Sequence, residues 1–215
     1  MCFSAIVSFS AAAGLSCLGV ATIGQTTSKR ELLLASFPCL FAVQQTLEGL
    51  VWIGKDNSYF THGDTIGTYG FLLFATLIWL VLSPLAMYLL AEDINRKRFL
   101  LGLAIGGGVL GIYLFGWIVA RGVEPQLFSG NLFYDLRFIP FYEIIKYLYL
   151  AIISVPFLTA ESSILQLFGV SIVLSFICSQ IFFQITLVSV WCFFAAILSG
   201  SLYFIMRNES SNKMA

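Results

Sequence analysis

Apolar residues in this chain come in seven long stretches, and charged residues lie almost entirely between them. Each stretch has about twenty residues, which at about 1.5 Å of rise per residue is enough to cross roughly 30 Å of bilayer hydrocarbon. The pattern therefore predicts an all-α bundle of about seven transmembrane helices. The predicted spans are residues 4–24, 31–54, 69–91, 99–120, 139–160, 164–183 and 185–206.

The boundary between the last two spans carries the weakest signal. Residues 164–206 form one nearly uninterrupted apolar run, which is too long for a single crossing. We therefore predict a tight helical hairpin near Phe183, Gln184 and Thr186. The first span follows Met1–Ser4, which has no Lys or Arg, so it lacks the usual start of a signal peptide and is expected to remain as a helix.

Proline and glycine residues inside the spans predict local features of the helices. Pro38 and Pro84 fall in the second and third spans, where the missing N–H group interrupts the helical hydrogen bonds. The fourth span contains Gly106, Gly107 and Gly108, and Gly102 and Gly106 have the spacing of small residues at close helix contacts. We expect kinks at the prolines and tight packing at the glycines.

Composition excludes a water-soluble domain. The chain is 59% hydrophobic and only 10% charged, whereas soluble domains are about 45–50% apolar and about 25% charged. The net charge of +0 gives no basic surface for nucleic acid, so no nucleic-acid partner is expected. Because spans and short connectors fill the chain, residues 1–215 are expected to form a single domain, with the lipid bilayer as its partner.

The positions of Lys and Arg predict an orientation. In a seven-span topology, Lys29, Arg30, residues 96–98, Arg207 and Lys213 all lie on one side, which should be cytoplasmic. The N-terminus then faces outward and the C-terminus inward. The two long connectors, residues 55–68 and 121–138, fall on the outer side. The second is rich in aromatic and turn residues and is expected to lie at the level of the lipid headgroups.

Glu48 is the leading candidate for a functional residue. A carboxyl group inside hydrocarbon is costly and usually marks a pathway, a ligand site or a paired partner. Gln44, Gln45 and Trp52 lie four residues before, three before and four after it, so all four share one helix face. Two interpretations remain open: a protonated Glu48 that joins helices by a hydrogen bond, or a ligand or ion site.

The fifth span offers a second polar group. Tyr142, Glu143, Lys146 and Tyr147 lie in its outer half. A lysine at membrane depth costs about 2.5–3.5 kcal/mol unless it is paired, so we expect an ion pair between Lys146 and Glu143 or Glu48. This is either a plain ion pair or part of one buried network of Glu48, Glu143 and Lys146 with a catalytic or ligand-binding role.

The N-terminal cysteine has its own chemistry. Removal of Met1 would leave Cys2 with a free amine and a thiol, which together can bind a soft metal or act as a nucleophile. The alternative is an inert chain end.

Further metal candidates lie elsewhere in the chain. Cys178 and Cys192 flank the predicted hairpin symmetrically and are expected at similar depth, unless they pack as small hydrophobic residues. His62 is the one histidine, in the outer connector, and can ligate a metal or carry a proton. The candidate ligands of a transition-metal ion are Cys2, Glu48, His62, Cys178 and Cys192.

Several short motifs resemble those of a bacterial family of uncharacterised polytopic membrane proteins. They are MCFSA at residues 1–5, residues 41–52, and residues 191–196. The resemblance implies a multi-pass protein of the bacterial inner (cytoplasmic) membrane and supplies no activity. Cys2, Glu48, Trp52, Trp191 and Cys192 fall inside these motifs.

The leading hypothesis is a membrane protein that holds a metal ion or a small polar ligand in a polar cluster near the outer leaflet. The second is a membrane-embedded enzyme acting on a lipid or hydrophobic substrate, with Cys2 as nucleophile or Glu48 as base. The third is a non-catalytic assembly protein whose polar residues only join helices. The candidate ligand-binding residues are Gln44, Gln45, Glu48, Trp52, Tyr142, Glu143, Lys146, Tyr147 and Trp191.

Overall fold

Helical segments form seven units, in the order that the sequence predicts. The computed structural model describes residues 4–56 and 61–214, and within those ranges the chain is all-α and 78% helical. The helices are α1 (Ala5–Ile23), α2 (Leu32–Ala35), α3 (Phe37–Asp56), α4 (Thr61–Leu73), α5 (Trp79–Leu90), α6 (Ile94–Arg121), α7 (Tyr142–Leu158), α8 (Ser163–Phe182), α9 (Leu187–Ser199) and α10 (Leu202–Met214). A π-helical turn, Phe74–Ile78, joins α4 to α5. The seven units are thus α1, α2 with α3, α4 with α5, α6, α7, α8, and α9 with α10.

Five helical stretches in the described ranges are long and apolar enough to cross a membrane. The α2–α3 unit is not one of them, because two glutamines and a glutamate lower its hydropathy. Helix α7 is not one either, because it has only 17 residues. The five stretches are Ala5–Ile23, Thr65–Leu90, Ile94–Arg121, Ser163–Phe182 and Leu187–Asn208.

The turns between helices confirm two sequence predictions. Helix α8 ends at Phe182 and α9 begins at Leu187, which confirms the tight hairpin in the long apolar run. The second unit is interrupted at Ser36, as expected near Pro38, because a proline has no N–H to donate to the carbonyl four residues earlier. Pro84, in contrast, lies inside a continuous α5.

Both long connectors contain secondary structure that the sequence analysis did not predict. Much of residues 55–68 is helical, since α3 reaches Asp56 and α4 begins at Thr61. The other connector forms a hairpin of β1 (Gln126–Phe128) and β2 (Asn131–Phe133), paired antiparallel. Ser129 and Gly130 between them have φ angles of 49° and 77°, the left-handed conformation of a tight two-residue turn.

Close contact between α6 and the α4–α5 unit depends on two glycines, of which Gly107 faces α5 and Gly111 faces the π-helical turn. A Cβ atom added at Gly107 would lie 2.2 Å from the carbonyl oxygen of Leu80, and one at Gly111 would lie 2.5 Å from Leu77 Cδ1. At Gly102 and Gly106 no described atom lies within 4 Å of such a Cβ. Tight packing of the fourth unit is confirmed at Gly107, one of the glycines predicted for it, whereas Gly102 and Gly106 face outward and make no such contact with a described residue.

The order of helix contacts places the polar face of α3 inside the bundle. Helix α1 packs along α3, α3 along α4, α5 along α6, and α7 along α8, and α9 contacts both α8 and α3. A Cβ at Gly49 would meet the ring of Phe9, and one at Gly19 would meet Cys39, so α1 and α3 run antiparallel. Helix α3 is therefore enclosed by α1, α4 and α9.

The glycine contacts make a stability prediction. Gly107→Ala should lower the free energy of unfolding by about 1–3 kcal/mol, because the new methyl group meets backbone that cannot move aside. Gly106→Ala, one residue away in open space, is the matched control and should not be destabilised. Thermal unfolding of both variants in the same detergent measures the difference, and equal stabilities would contradict the packing.

Candidate functional site

The polar face of α3 is buried, as the sequence analysis predicted. Glu48 is only 2% exposed, and Gln44, Gln45 and Trp52 are buried with it. Residues spaced three and four apart on a helix point to one side, which explains why these four lie together. We call Gln44, Gln45, Glu48 and Trp52 the Glu48 cluster.

Glu48 joins α3 to α9 through a hydrogen bond. The Ser189 hydroxyl on α9 donates to Glu48 Oε1. Gln45 Nε2, one turn earlier on α3, donates to Glu48 Oε2 at 3.3 Å. Ser189 is itself buried. The sequence analysis missed Ser189, because a single serine in an apolar helix carries no distinguishing pattern.

Gln44 is held by the α5 side of the bundle. Trp79 Nε1 donates to Gln44 Oε1 at 2.7 Å. The Trp79 ring stacks on Phe41, with centroids 3.9 Å apart and planes at 19°. Trp79 directly follows the π-helical turn, and such turns recur at functional sites. Sequence patterns gave no sign of Trp79's partner, because 35 residues separate the two side chains.

Three polar atoms of the Glu48 cluster have no hydrogen-bond partner among the described residues. They are Gln44 Nε2, Gln45 Oε1 and Trp52 Nε1, all buried. The Cys192 thiol lies beside Gln44 and Glu48, but sulfur is only a weak acceptor. A buried polar group without a partner costs about 1–3 kcal/mol. Within the described residues, the cluster therefore presents two donors and one acceptor that lack an oxygen or nitrogen partner, next to a carboxyl group.

Lys146 belongs to a separate polar group on α7. Its ammonium pairs with the Glu143 carboxylate, which confirms one of the predicted ion pairs. The Lys146 side chain is 9% exposed, but that of Glu143 is 70% exposed. Glu143 is exposed because α7 begins at Tyr142, which puts it in the first turn. The prediction of one buried network with Glu48 was therefore wrong.

Some of the remaining candidate side chains on α7 to α9 are buried, and others are exposed. Trp191 is buried, and its Nε1 donates to Ser175 Oγ at 3.2 Å. Cys192 is buried, whereas Cys178 is exposed, so the two thiols lie in different surroundings. Tyr147 is exposed, and its ring packs against Phe176 at a centroid distance of 6.1 Å.

The predicted metal ligands do not assemble in the part of the chain that the structure covers. No group of three or more His, Cys, Asp and Glu side chains there is placed to hold a metal ion. Cys2 lies outside the described residues, and so does the side chain of His62, whose backbone is in the first turn of α4. Of the predicted set, Glu48 and Cys192 are adjacent and buried, whereas Cys178 is exposed.

The polar surface next to Lys146 contains a second ion pair. Arg137 Nε lies 3.0 Å from Asp135 Oδ1. The hydrogen bond from Arg137 holds the pKa of the Asp135 carboxyl below its ordinary value. Asp135 therefore stays ionised and keeps Arg137 engaged.

Fold and site together define a helical bundle with a polar cluster buried among apolar helices. Residues 1–215, the whole chain, match the family described as Family of unknown function (DUF6629), and the chain belongs to this family. No curated protein and no solved structure matches it. The family supplies no activity, so the function has to be argued from the geometry.

The Ser189 contact makes a prediction. Ser189→Ala should lower the free energy of unfolding by about 1–3 kcal/mol, because the Glu48 carboxyl loses its donor from α9 while it stays buried. Ser171→Ala on α8 is the matched control, since that exposed hydroxyl bonds only to the Leu167 carbonyl of its own helix. Thermal unfolding in detergent compares them. A Ser189→Ala protein as stable as the control would refute the α3–α9 link.

Proposed function

We propose that this chain is an integral membrane protein that binds a small polar ligand, or a metal ion, in the Glu48 cluster. The membrane location is supported by the five apolar helical stretches and by exposed apolar side chains. Ile105, Val109 and Ile112 on α6, for example, are all exposed. Such side chains are stable against lipid tails and unfavourable in water.

The proposed arrangement is a multi-pass protein of the bacterial inner membrane with its N-terminus outside. It rests on the positive residues of the α1–α2 connector and the α6 start, which the positive-inside rule assigns to the cytoplasm. Glu48 lies nearer the Asp56 end of α3 than the Phe37 end. In this orientation the Glu48 cluster is in the outer half of the membrane.

The ligand proposal is carried by the three unpartnered atoms around Glu48. The N–H groups of Gln44 and Trp52 each need an acceptor, and the unpartnered side-chain oxygen of Gln45 needs a donor. A small polar molecule with both kinds of group has the chemistry that these atoms lack, and Glu48 adds a carboxyl. Hydrocarbon cannot solvate these groups, so occupancy of the cluster stabilises the bundle.

The metal form of the proposal needs one further ligand. Glu48 and the adjacent Cys192 offer one oxygen and one sulfur. The third ligand would be Cys2, with its thiol and free amine, which suits a soft transition metal. This form therefore depends on removal of Met1.

Native mass spectrometry of the detergent-purified protein tests for a retained ligand. The wild-type chain should carry a small-molecule adduct that Glu48→Gln loses, because the substitution replaces one carboxyl oxygen in the cluster by a donor. Glu143→Gln makes the same chemical change at an exposed site and should keep the adduct. An adduct absent from all three proteins, or equal in all three, would refute the ligand form.

Metal analysis tests the other form. Wild type and Cys178→Ser should contain about one transition-metal ion per chain, and Cys2→Ser and Glu48→Gln should lose it, because Cys178 is exposed whereas the cluster is buried. Negligible metal in all four proteins would remove the metal form.

A membrane-embedded enzyme is the second candidate, and the Ser189–Glu48 contact favours it. A carboxylate that accepts a hydroxyl hydrogen bond is placed to act as a general base. Cys2 as a nucleophile needs a free N-terminus, so intact-mass analysis that found Met1 on every molecule would exclude that version. The third candidate, an assembly protein, predicts that Glu48→Gln and Lys146→Met unfold more easily without any separable loss of ligand.

A further inference from the structure

One face of α7 lines two neighbouring cavities. Six of its residues face the same side at helical spacing: Tyr142, Ile145, Lys146, Tyr149, Ile153 and Phe157. The first four, from Tyr142 to Tyr149, line a cavity of about 60 Å³, which we call the outer cavity. Tyr149, Ile153 and Phe157 line a second cavity of about 50 Å³, which we call the inner cavity.

The two cavities are neighbours, and their walls are apolar. They share Tyr149 of α7 and Trp191 and Cys192 of α9. Phe176 of α8 lies on the outer cavity and Phe168 on the inner one. Along α7 from Tyr142 to Phe157, the two cavities follow about 22 Å at 1.5 Å per residue. This length suits an extended alkyl chain.

A polar space, which we call the vestibule, adjoins the outer cavity, and we call the vestibule and the two cavities together the passage. The vestibule is a space of about 250 Å³ lined by Asp135, Arg137, Glu143 and Gln184 among others. It shares Lys146 with the outer cavity, as well as Tyr142, Leu136, Leu187 and Val188. The lining thus changes from charged to apolar at Lys146.

Lys146 is the cation available to a ligand at this boundary. Its side chain is nearly buried, while Glu143, the carboxylate that pairs with it, is largely solvated. A bound anion can replace Glu143 there at little cost, because Glu143 can return to water. Arg137, the other cation of the vestibule, is already paired with Asp135, and neither residue lines the outer cavity.

We propose that this passage binds a single-chain amphiphile with an anionic head, a carboxylate or a phosphate. The head pairs with the Lys146 ammonium at the vestibule, and the alkyl tail lies along the two apolar cavities between α7, α8 and α9. This site adjoins the Glu48 cluster, because Cys192 lies beside Glu48 and also lines both apolar cavities, but it does not depend on the function proposed for that cluster.

The test measures binding of radiolabelled dodecanoate to the full-length protein in nanodiscs, with empty nanodiscs subtracted. Binding should saturate at about one molecule per chain. Lys146→Met keeps the apolar length and should weaken binding at least about tenfold, because it removes a charge-assisted contact. Lys146→Arg keeps the charge and should retain binding.

A second pair of variants tests the tail site without touching the charge. Val188→Trp fills the outer cavity and should abolish binding. Ile144→Trp, on the exposed face of α7, is its matched control and should bind like wild type. Both proteins are compared with wild type by thermal unfolding, so a folded Val188→Trp decides the matter even if Lys146→Met fails to fold.

Competition identifies the head group. Unlabelled dodecanoate and dodecyl phosphate should both displace the probe. The stronger competitor of the two indicates whether the site prefers a carboxylate or a phosphate head. Dodecanol and dodecyltrimethylammonium should not displace it. Non-saturable binding, equal displacement by the cationic amphiphile, or full binding by a folded Lys146→Met or a folded Val188→Trp would overturn the proposal.

Discussion

A carboxyl group enclosed by apolar helices is the constraint on which the rest of this structure depends. Glu48 cannot reach water from its position on α3, so the protein has to satisfy it internally. It does so with Ser189 from α9 and Gln45 from its own helix. The first of these contacts fixes α9, which otherwise offers mainly apolar side chains, against α3. The free-energy cost of burying Glu48 without a partner thereby favours the contact between α3 and α9.

The polar residues of the bundle serve two sites with different physical character. The Glu48 cluster is deeply buried and has unpartnered donors and an acceptor, which suits a small polar molecule. The Lys146 site lies between a polar vestibule and an apolar passage, which suits an amphiphile. They are neighbours, because Cys192 lies beside Glu48 and also lines the apolar cavities, but Glu48 bonds to Ser189 of α9, whereas Lys146 pairs with a carboxylate at the exposed start of α7.

The sequence was sufficient to predict those features of the structure that depend on a single helix. Long apolar runs predicted seven helical units, and helical spacing placed Gln44, Gln45, Glu48 and Trp52 on one buried face. It was insufficient where partners come from distant segments. Ser189 and Trp79 are ordinary residues in apolar helices, and only the packing gives them Glu48 and Gln44 as partners. The β-hairpin was missed because its strands are three residues long.

The most direct test of a ligand-binding Glu48 cluster is a cryo-electron microscopy map of the protein in nanodiscs. The account predicts non-protein density within hydrogen-bond distance of Gln44 Nε2, Gln45 Oε1 and Trp52 Nε1, beside the Glu48 carboxyl. A map in which these three atoms bond directly to other protein groups, with nothing between them, would contradict it.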